Sequence, residues 1–473
     1  MDADTLPVII QGGMGIGISS WPLARAVAQQ GQLGVVSGTA LDNLFIRRLQ
    51  DGDIGGHLRR AMEAFPSPTV ASETLRRFFE PEGRAEGQPY ALVPMYRQAV
   101  DSFRNQITIM ANFVEVWLAK EGHDGKVGIN FLSKVQMPTL PSLYGAMLAG
   151  VDYVLIGAGI PREIPGALDS LAKHEPSSLR FEVQGACDDN EERLNFDPRE
   201  FFEGLLPQLK RPKFLPIIAS NSLATMLAKK ANGRVDGFIV EGPNAGGHNA
   251  PPRGEKRLNE RGEPVYGERD TVDLKKLGKL GLPFWVAGGR GHPGQIEEAR
   301  KEGGVGIQVG TLFAYCRESG LVEGLKRTVL ELCQKGEVDV RTEDRASPTG
   351  FPFKTVEVES TLACLETYET RKRVCDLGYL RVPFRMAGGR IGYRCPAEPV
   401  RTFLAKGGLE EETQGRRCLC NALLANVGHA QPRGNGVEEA PLLTSGDDLK
   451  ILRDFLKGRD SYSARDVIEY LLS

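Results

Sequence analysis

Eight short apolar runs, each followed by a turn and then a helical pattern, restrict this chain of 473 residues to a small set of folds. The runs lie at 7–11, 33–37, 126–131, 153–157, 214–219, 235–240, 283–287 and 306–310. Most lack polar alternation, as expected of strands buried on both faces of a parallel sheet. After the first run, 21–28 reads as a helix, with Pro22 near its start and Gly31 placed to end it. Eight β/α units in the first 330 residues predict an α/β fold, a (β/α)8 TIM-type barrel with insertions and an irregular, partly helical C-terminal extension. A doubly wound open sheet is the alternative.

Two stretches break the repeat. Residues 51–125 exceed one helix and its loops, and 161–212 carry the charged run 188–193 and a predicted extra strand at 181–184. Insertions beside strand ends can cover a ligand, so the second insert and the part of the first that lies next to the third strand are lid candidates, with peripheral packing as the alternative. The barrel domain is expected over 1–330, closed by an amphipathic helix at 321–332. Residues 331–473 form a loop-rich extension ending in two short helices, the last opened by a Ser463/Asp466 capping box.

Basic and acidic residues number 59 and 61, and no basic block marks a nucleic-acid footprint. No apolar span is long enough for a bilayer, and the first five residues do not read as a signal peptide. A cytoplasmic protein with reduced thiols is expected. Cys375, Cys395, Cys418 and Cys420 match no paired metal-ligand spacing, so buried thiols and no metal are expected.

Functional groups in such barrels gather at the carboxyl ends of the strands. There the sequence places Gln11-Gly12-Gly13-Met14, Ser37-Gly38, Asn130, Ala245-Gly246-Gly247-His248, Ala287-Gly288-Gly289-Arg290 and Gln308-Val309-Gly310-Thr311. Glycine-rich ends on the last two strands form a phosphate cradle from backbone N–H groups. Asn130 offers a donor and an acceptor to a heterocycle edge, and His248 is the side chain suited to proton exchange near neutrality.

These segments, with 7–15, 127–130, 242–248, 286–289 and 307–313 as their cores, resemble the nitronate monooxygenase family, formerly called 2-nitropropane dioxygenases. That family is related to the flavin-type enoyl-acyl-carrier-protein reductases and to the enoyl reductases of polyunsaturated fatty acid and polyketide synthases. The resemblance implies FMN. It assigns Asn130 to the flavin, Gly288, Gly289, Gln308, Val309, Gly310 and Thr311 to the phosphate and ribityl region, and the backbone of Gly12, Gly13 and Met14 to the ring. Gly246 and Gly247 are expected to allow close approach to the flavin, and His248 to be the acid/base or substrate-orienting residue. Asn244 stands where the family usually keeps an acidic residue that would raise the histidine pKa.

The resemblance implies nitronate oxidation with O2 to a carbonyl compound and nitrite, a partly protonated His248 stabilising the nitronate oxygens. Its alternative is NAD(P)H-dependent reduction of an enoyl thioester, with His248 assisting at the enolate. A third reading is an accessory flavin-binding protein of a synthase, met by an acyl carrier protein at the basic stretch 371–401; a homodimer is a further expectation. His57 could reach the site but reads better as exposed or capping. His292 belongs to a helix start, Arg290 serves phosphate or the surface, and His123, His174 and His429 have no supporting sequence neighbours.

Overall fold

The computed structural model describes residues 6–186, 191–202, 206 and 208–473. The first five residues and positions 188–190 of the charged run lie outside the described residues.

Ten strands are needed to describe the barrel and its second insert: β1 (Ile9–Gln11), β2 (Leu33–Ser37), β3 (Val127–Leu132), β4 (Tyr153–Gly157), β5 (Ser177–Arg180), β6 (Arg193–Phe196), β7 (Lys213–Ile218), β8 (Phe238–Glu241), β9 (Phe284–Ala287) and β10 (Gly306–Val309). Eight of them close a parallel barrel in the order β1-β10-β9-β8-β7-β4-β3-β2. This is the (β/α)8 fold, and it removes the open-sheet alternative. The strands carry apolar side chains on both faces because both are covered. Ile10, Val35, Leu155, Leu215, Ile239 and Trp285 fill the lumen, and the outward-facing residues pack against the helices. The Trp285 indole Nε1–H donates to the Pro7 carbonyl at 2.7 Å, satisfying the one polar atom that this large side chain takes inside.

The extra strand predicted at 181–184 lies instead at β5, paired antiparallel with β6. The Phe181 N–H still donates to the Glu192 carbonyl at 2.8 Å, and its ring is buried with Tyr96, Met137 and Leu194. Gln184 keeps only one bridge, to Phe384. The β5–β6 hairpin stands beside the ends of β3 and β4, as expected for a lid candidate.

The first insert behaves differently. Its helices His57–Glu63, Pro68–Phe78 and Ser102–Lys120 pack on the barrel side and against the extension. At that seam Arg104 donates to the Asp42 carboxylate at 2.5 Å, Tyr379 of the extension donates to the other Asp42 oxygen, and both ionic side chains are 2% exposed. Nearby, Tyr90 Oη donates to Asp51 at 2.7 Å, and His429 Nδ1 meets the same carboxylate at 2.8 Å. This insert takes the peripheral option.

The closing helix begins two residues later than predicted, at Glu323–Lys335, and ends on Gly336 in the left-handed conformation. Among the described residues the extension adds three hairpins, β11 (Val340–Glu343) with β12 (Phe353–Val356), β13 (Val382–Arg385) with β14 (Ile391–Arg394) and β15 (Pro432–Gly434) with β16 (Val437–Glu438). The last helix, Ala464–Leu472, carries the predicted Ser463/Asp466 capping box. Among the described residues no helix is long and apolar enough to cross a membrane.

Candidate active site

At the carboxyl ends of the strands lies a cleft of about 220 Å3, and every residue that the resemblance assigns to the flavin or to the chemistry lines it: Gly12, Gly13, Met14, Asn130, Gly246, Gly247, His248, Gly288, Gly289, Gln308, Val309, Gly310 and Thr311. The barrel brings them together through register. Ser37 pairs with Asn130 across β2 and β3, and Gln308 with Ala287 across β10 and β9. Gly12 N–H donates to the Val309 carbonyl at 2.9 Å, tying the first strand end to the last.

Several glycines are required by close approach. A Cβ on Gly13 would stand 2.4 Å from Asn130 Cβ. Gly288 and Gly289 have φ of +86° and +70°, conformations that side chains disfavour. Gly246 has another partner than expected, since its missing Cβ faces backbone of Ser445 and Gly446 at 2.8 Å. A segment of the extension, 444–448, therefore crosses the cleft as a strap. Gly247 N–H donates to Thr444 Oγ1 at 2.8 Å, Gly446 N–H to Thr311 Oγ1 at 3.0 Å, Asp447 N–H to the Asn244 carbonyl at 3.0 Å and Gly291 N–H to the Asp448 carboxylate at 3.2 Å. Burial raises the pKa of Asp448, shifting this acid beside the glycine turn toward its uncharged form.

His248 is fixed by the extension as well. Its Nε2 lies 2.7 Å from Ser347 Oγ, its ring meets Phe353 edge-on at 4.8 Å, and Asn249 N–H donates to the Pro352 carbonyl. Burial pushes its pKa down to about 4. The expectation of a partly protonated His248 is therefore corrected: with no carboxylate beside it to offset desolvation, the imidazole is neutral at pH 7.

The sequence reading missed Glu241, the last residue of β8. Its side chain lines the cleft, has no hydrogen-bond or ionic partner among the described residues, and is pushed by burial to a pKa of about 8. At neutral pH this group is predominantly a carboxylic acid, a hydrogen-bond donor.

A flavin fits the polar atoms that remain. Asn130 Oδ1 and Gln308 Oε1 are buried at the cleft without a hydrogen-bond partner, and such acceptors suit the N–H edge of a heterocycle or ribityl hydroxyls. The glycine corners of β9 and β10 leave backbone room for a phosphate beside them.

Residues 203–359 match the family described as nitronate monooxygenase. The matched segment runs from β7 to just past β12. It includes Glu241, His248 and the cradle of β9 and β10. No curated protein matches the chain in sequence. Among solved structures, FabK from Thermotoga maritima is 16% identical, covering 99% of this chain and 92% of that one, with a TM-score of 0.47. A nitroalkane oxidase from Streptomyces ansochromogenes is 14% identical, covering 99% and 95%, at 0.46. The enoyl reductase domain of MlnA from the macrolactin biosynthesis cluster of Bacillus amyloliquefaciens is 10% identical, covering 98% and 92%, at 0.49.

The remaining candidates take structural places. Arg290 touches the cleft, but its guanidinium is engaged by Gln295, Glu298 and Glu302. His57 packs on Trp21 at the start of its helix, and His292 is exposed. His174 does have a partner, Tyr144 Oη at 2.7 Å, as His429 has Asp51. Cys375, Cys395, Cys418 and Cys420 surround one cavity of about 10 Å3 as free thiols. Among the described residues no group of three or more His, Cys, Asp or Glu is placed to hold a metal. Of the basic stretch, Arg371 pairs with Glu439, Arg385 with Glu192, and Arg381 donates to the Tyr96 carbonyl, which draws three arginines away from any docking surface.

Proposed function

We propose that this protein is an FMN-dependent oxidoreductase that uses NAD(P)H to reduce an enoyl thioester. The flavin, when bound, supplies the electron-transfer chemistry. Asn130 and Gln308 meet its polar edge, the Gly288–Gly289 and Gly310–Thr311 corners hold its phosphate, and the strap 444–448 keeps water from that side.

The observation that carries the thioester over a small nitro compound is a second chamber. It has a volume of about 420 Å3, shares Phe131 and Leu132 with the flavin cleft, and continues between Ile156, Leu179, Leu194 and Met226. Such a space suits an apolar acyl chain, which a small nitronate does not need. Lys134, Arg162 and Arg180 line it together with Glu163 and Glu182; Lys134 pairs with Glu182 at 3.9 Å, so the cations of Arg162 and Arg180 are the ones that suit an anionic carrier of the thioester.

Nitronate oxidation with O2 is the second reading, favoured by the family of residues 203–359. A neutral His248 weakens it, since the imidazole brings no positive charge to an anionic substrate. Holoenzyme under anaerobic conditions distinguishes the two. Flavin absorbance is expected to bleach with NAD(P)H and to return on adding a crotonyl thioester. Bleaching by a nitronate alone, followed by nitrite release in air, would reverse the assignment.

A further inference from the structure

Saturating an activated double bond needs a hydride equivalent at the β-carbon and a proton at the α-carbon. The second is the task of the protein. Two titratable groups in the cleft invite comparison. His248 is neutral, and its Nε2 is already engaged by Ser347. Glu241 ends β8, and its register partner on β9 is Ala287, the residue before the glycine corner. The side chain keeps partial exposure although protein surrounds it, which marks a group facing an internal cleft.

Among the described residues no cation compensates it. Arg290 is held by Glu298 and Glu302. Tyr266, from the loop after β8, has a buried hydroxyl without a hydrogen-bond partner and lies within electrostatic reach of Glu241. Asp448, on the strap, is itself an acid with a raised pKa. His248, Tyr266, Arg290 and Asp448 thus leave the carboxyl without an ionic partner. A glutamine would fill the position without the cost of ionisation, so a lone carboxyl here is best explained by use.

We propose that Glu241 delivers the proton to the substrate α-carbon, with His248, held by Ser347, as a positioning residue. This inference rests on the enoyl-thioester reading. The step balances: the carboxylic O–H bond breaks, a C–H bond forms at the α-carbon, Glu241 is left as a carboxylate, and it regains a proton from water. NAD(P)H supplies the hydride equivalent.

The test compares FMN-loaded wild type, E241Q and E241D. E241Q is expected to hold FMN, to bleach with NAD(P)H and to reoxidise in air as wild type does. Its reoxidation by a crotonyl thioester is expected to slow roughly 10²–10⁴-fold, the range of a general acid, with partial recovery in E241D. Infrared spectroscopy gives a readout independent of turnover. A carboxylic-acid C=O band is expected in wild type at pH 7, lost on titration to alkaline pH and absent from E241Q. Thioester reduction by E241Q at the wild-type rate overturns the assignment, and so does the absence of that band in wild type. If wild type itself ignores thioesters, the substrate reading fails with the proton step; that outcome is distinct, because E241Q is then not the variable.

Discussion

Asp42 and Glu241 are both carboxyl groups drawn out of water, one at the seam between the first insert and the extension, the other in the cleft. Asp42 is met by Arg104 and Tyr379, each bonded to one of its oxygens. No group among the described residues meets Glu241. The seam also pairs Asp51 with His429, whereas the cleft leaves His248 without a carboxylate. Groups buried to hold a structure together are paired, because an isolated charge costs several kcal/mol. Groups buried for chemistry can be left unpaired, and the price is a displaced pKa.

The largest effect that would break this contrast is at the seam. Replacing Arg104 by Met strands the Asp42 carboxylate in a buried site and is expected to cost about 3–5 kcal/mol, read as a lower denaturation midpoint. A midpoint equal to that of wild type would show that the pair does not hold the insert in place.

In the cleft the opposite sign is expected. The Glu241 pKa is raised to about 8 from about 4.3 unfolded, so its contribution to stability is greatest below pH 4 and is lost as pH rises through 8. With allowance for water in the cleft this amounts to about 2–3 kcal/mol. E241Q should flatten that decline in a pH series of melting temperatures, and parallel curves would disprove it. His248 shifts the other way. With its pKa lowered to about 4, the stability it contributes is present above pH 6.5 and lost as pH falls through 4. H248N should therefore remove about 2 kcal/mol of acid sensitivity.

The smallest effect concerns the strap. A Cβ on Gly446 would stand 2.8 Å from the Asn244 carbonyl oxygen and 3.1 Å from Thr311 Oγ1, whereas one on Gly324 meets nothing within 4 Å. G446A is expected to cost about 1–2 kcal/mol and to weaken FMN retention on gel filtration. G324A should do neither.

The barrel was legible because its strands are buried on both faces and need no partner to be recognised. Leu33–Ser37 and Tyr153–Gly157 fall where their apolar runs are. The cradle was legible because fold geometry converts strand ends into a common location. The strap was not. Its contact between Gly247 and Thr444 spans 197 residues, and Thr-Ser-Gly-Asp-Asp is ordinary loop sequence. The charge states of Glu241 and His248 were equally hidden, since burial sets both and appears only once the extension packs over them. Glu241 and Asp448 bring acids to the cleft, but neither takes the place of the one missing at Asn244, since nothing among the described residues offsets the desolvation of His248.

The strap also bears on how the enzyme is made. The cleft is lined from Gly12 to Asp448, so a ribosome that has completed the barrel has not yet completed the site. A nascent chain halted before residue 444 lacks the donors and acceptors that Gly247, Thr311 and Gly291 require. The finished cleft is thus a late event of biosynthesis, and a truncated product is left with its strand ends exposed to water.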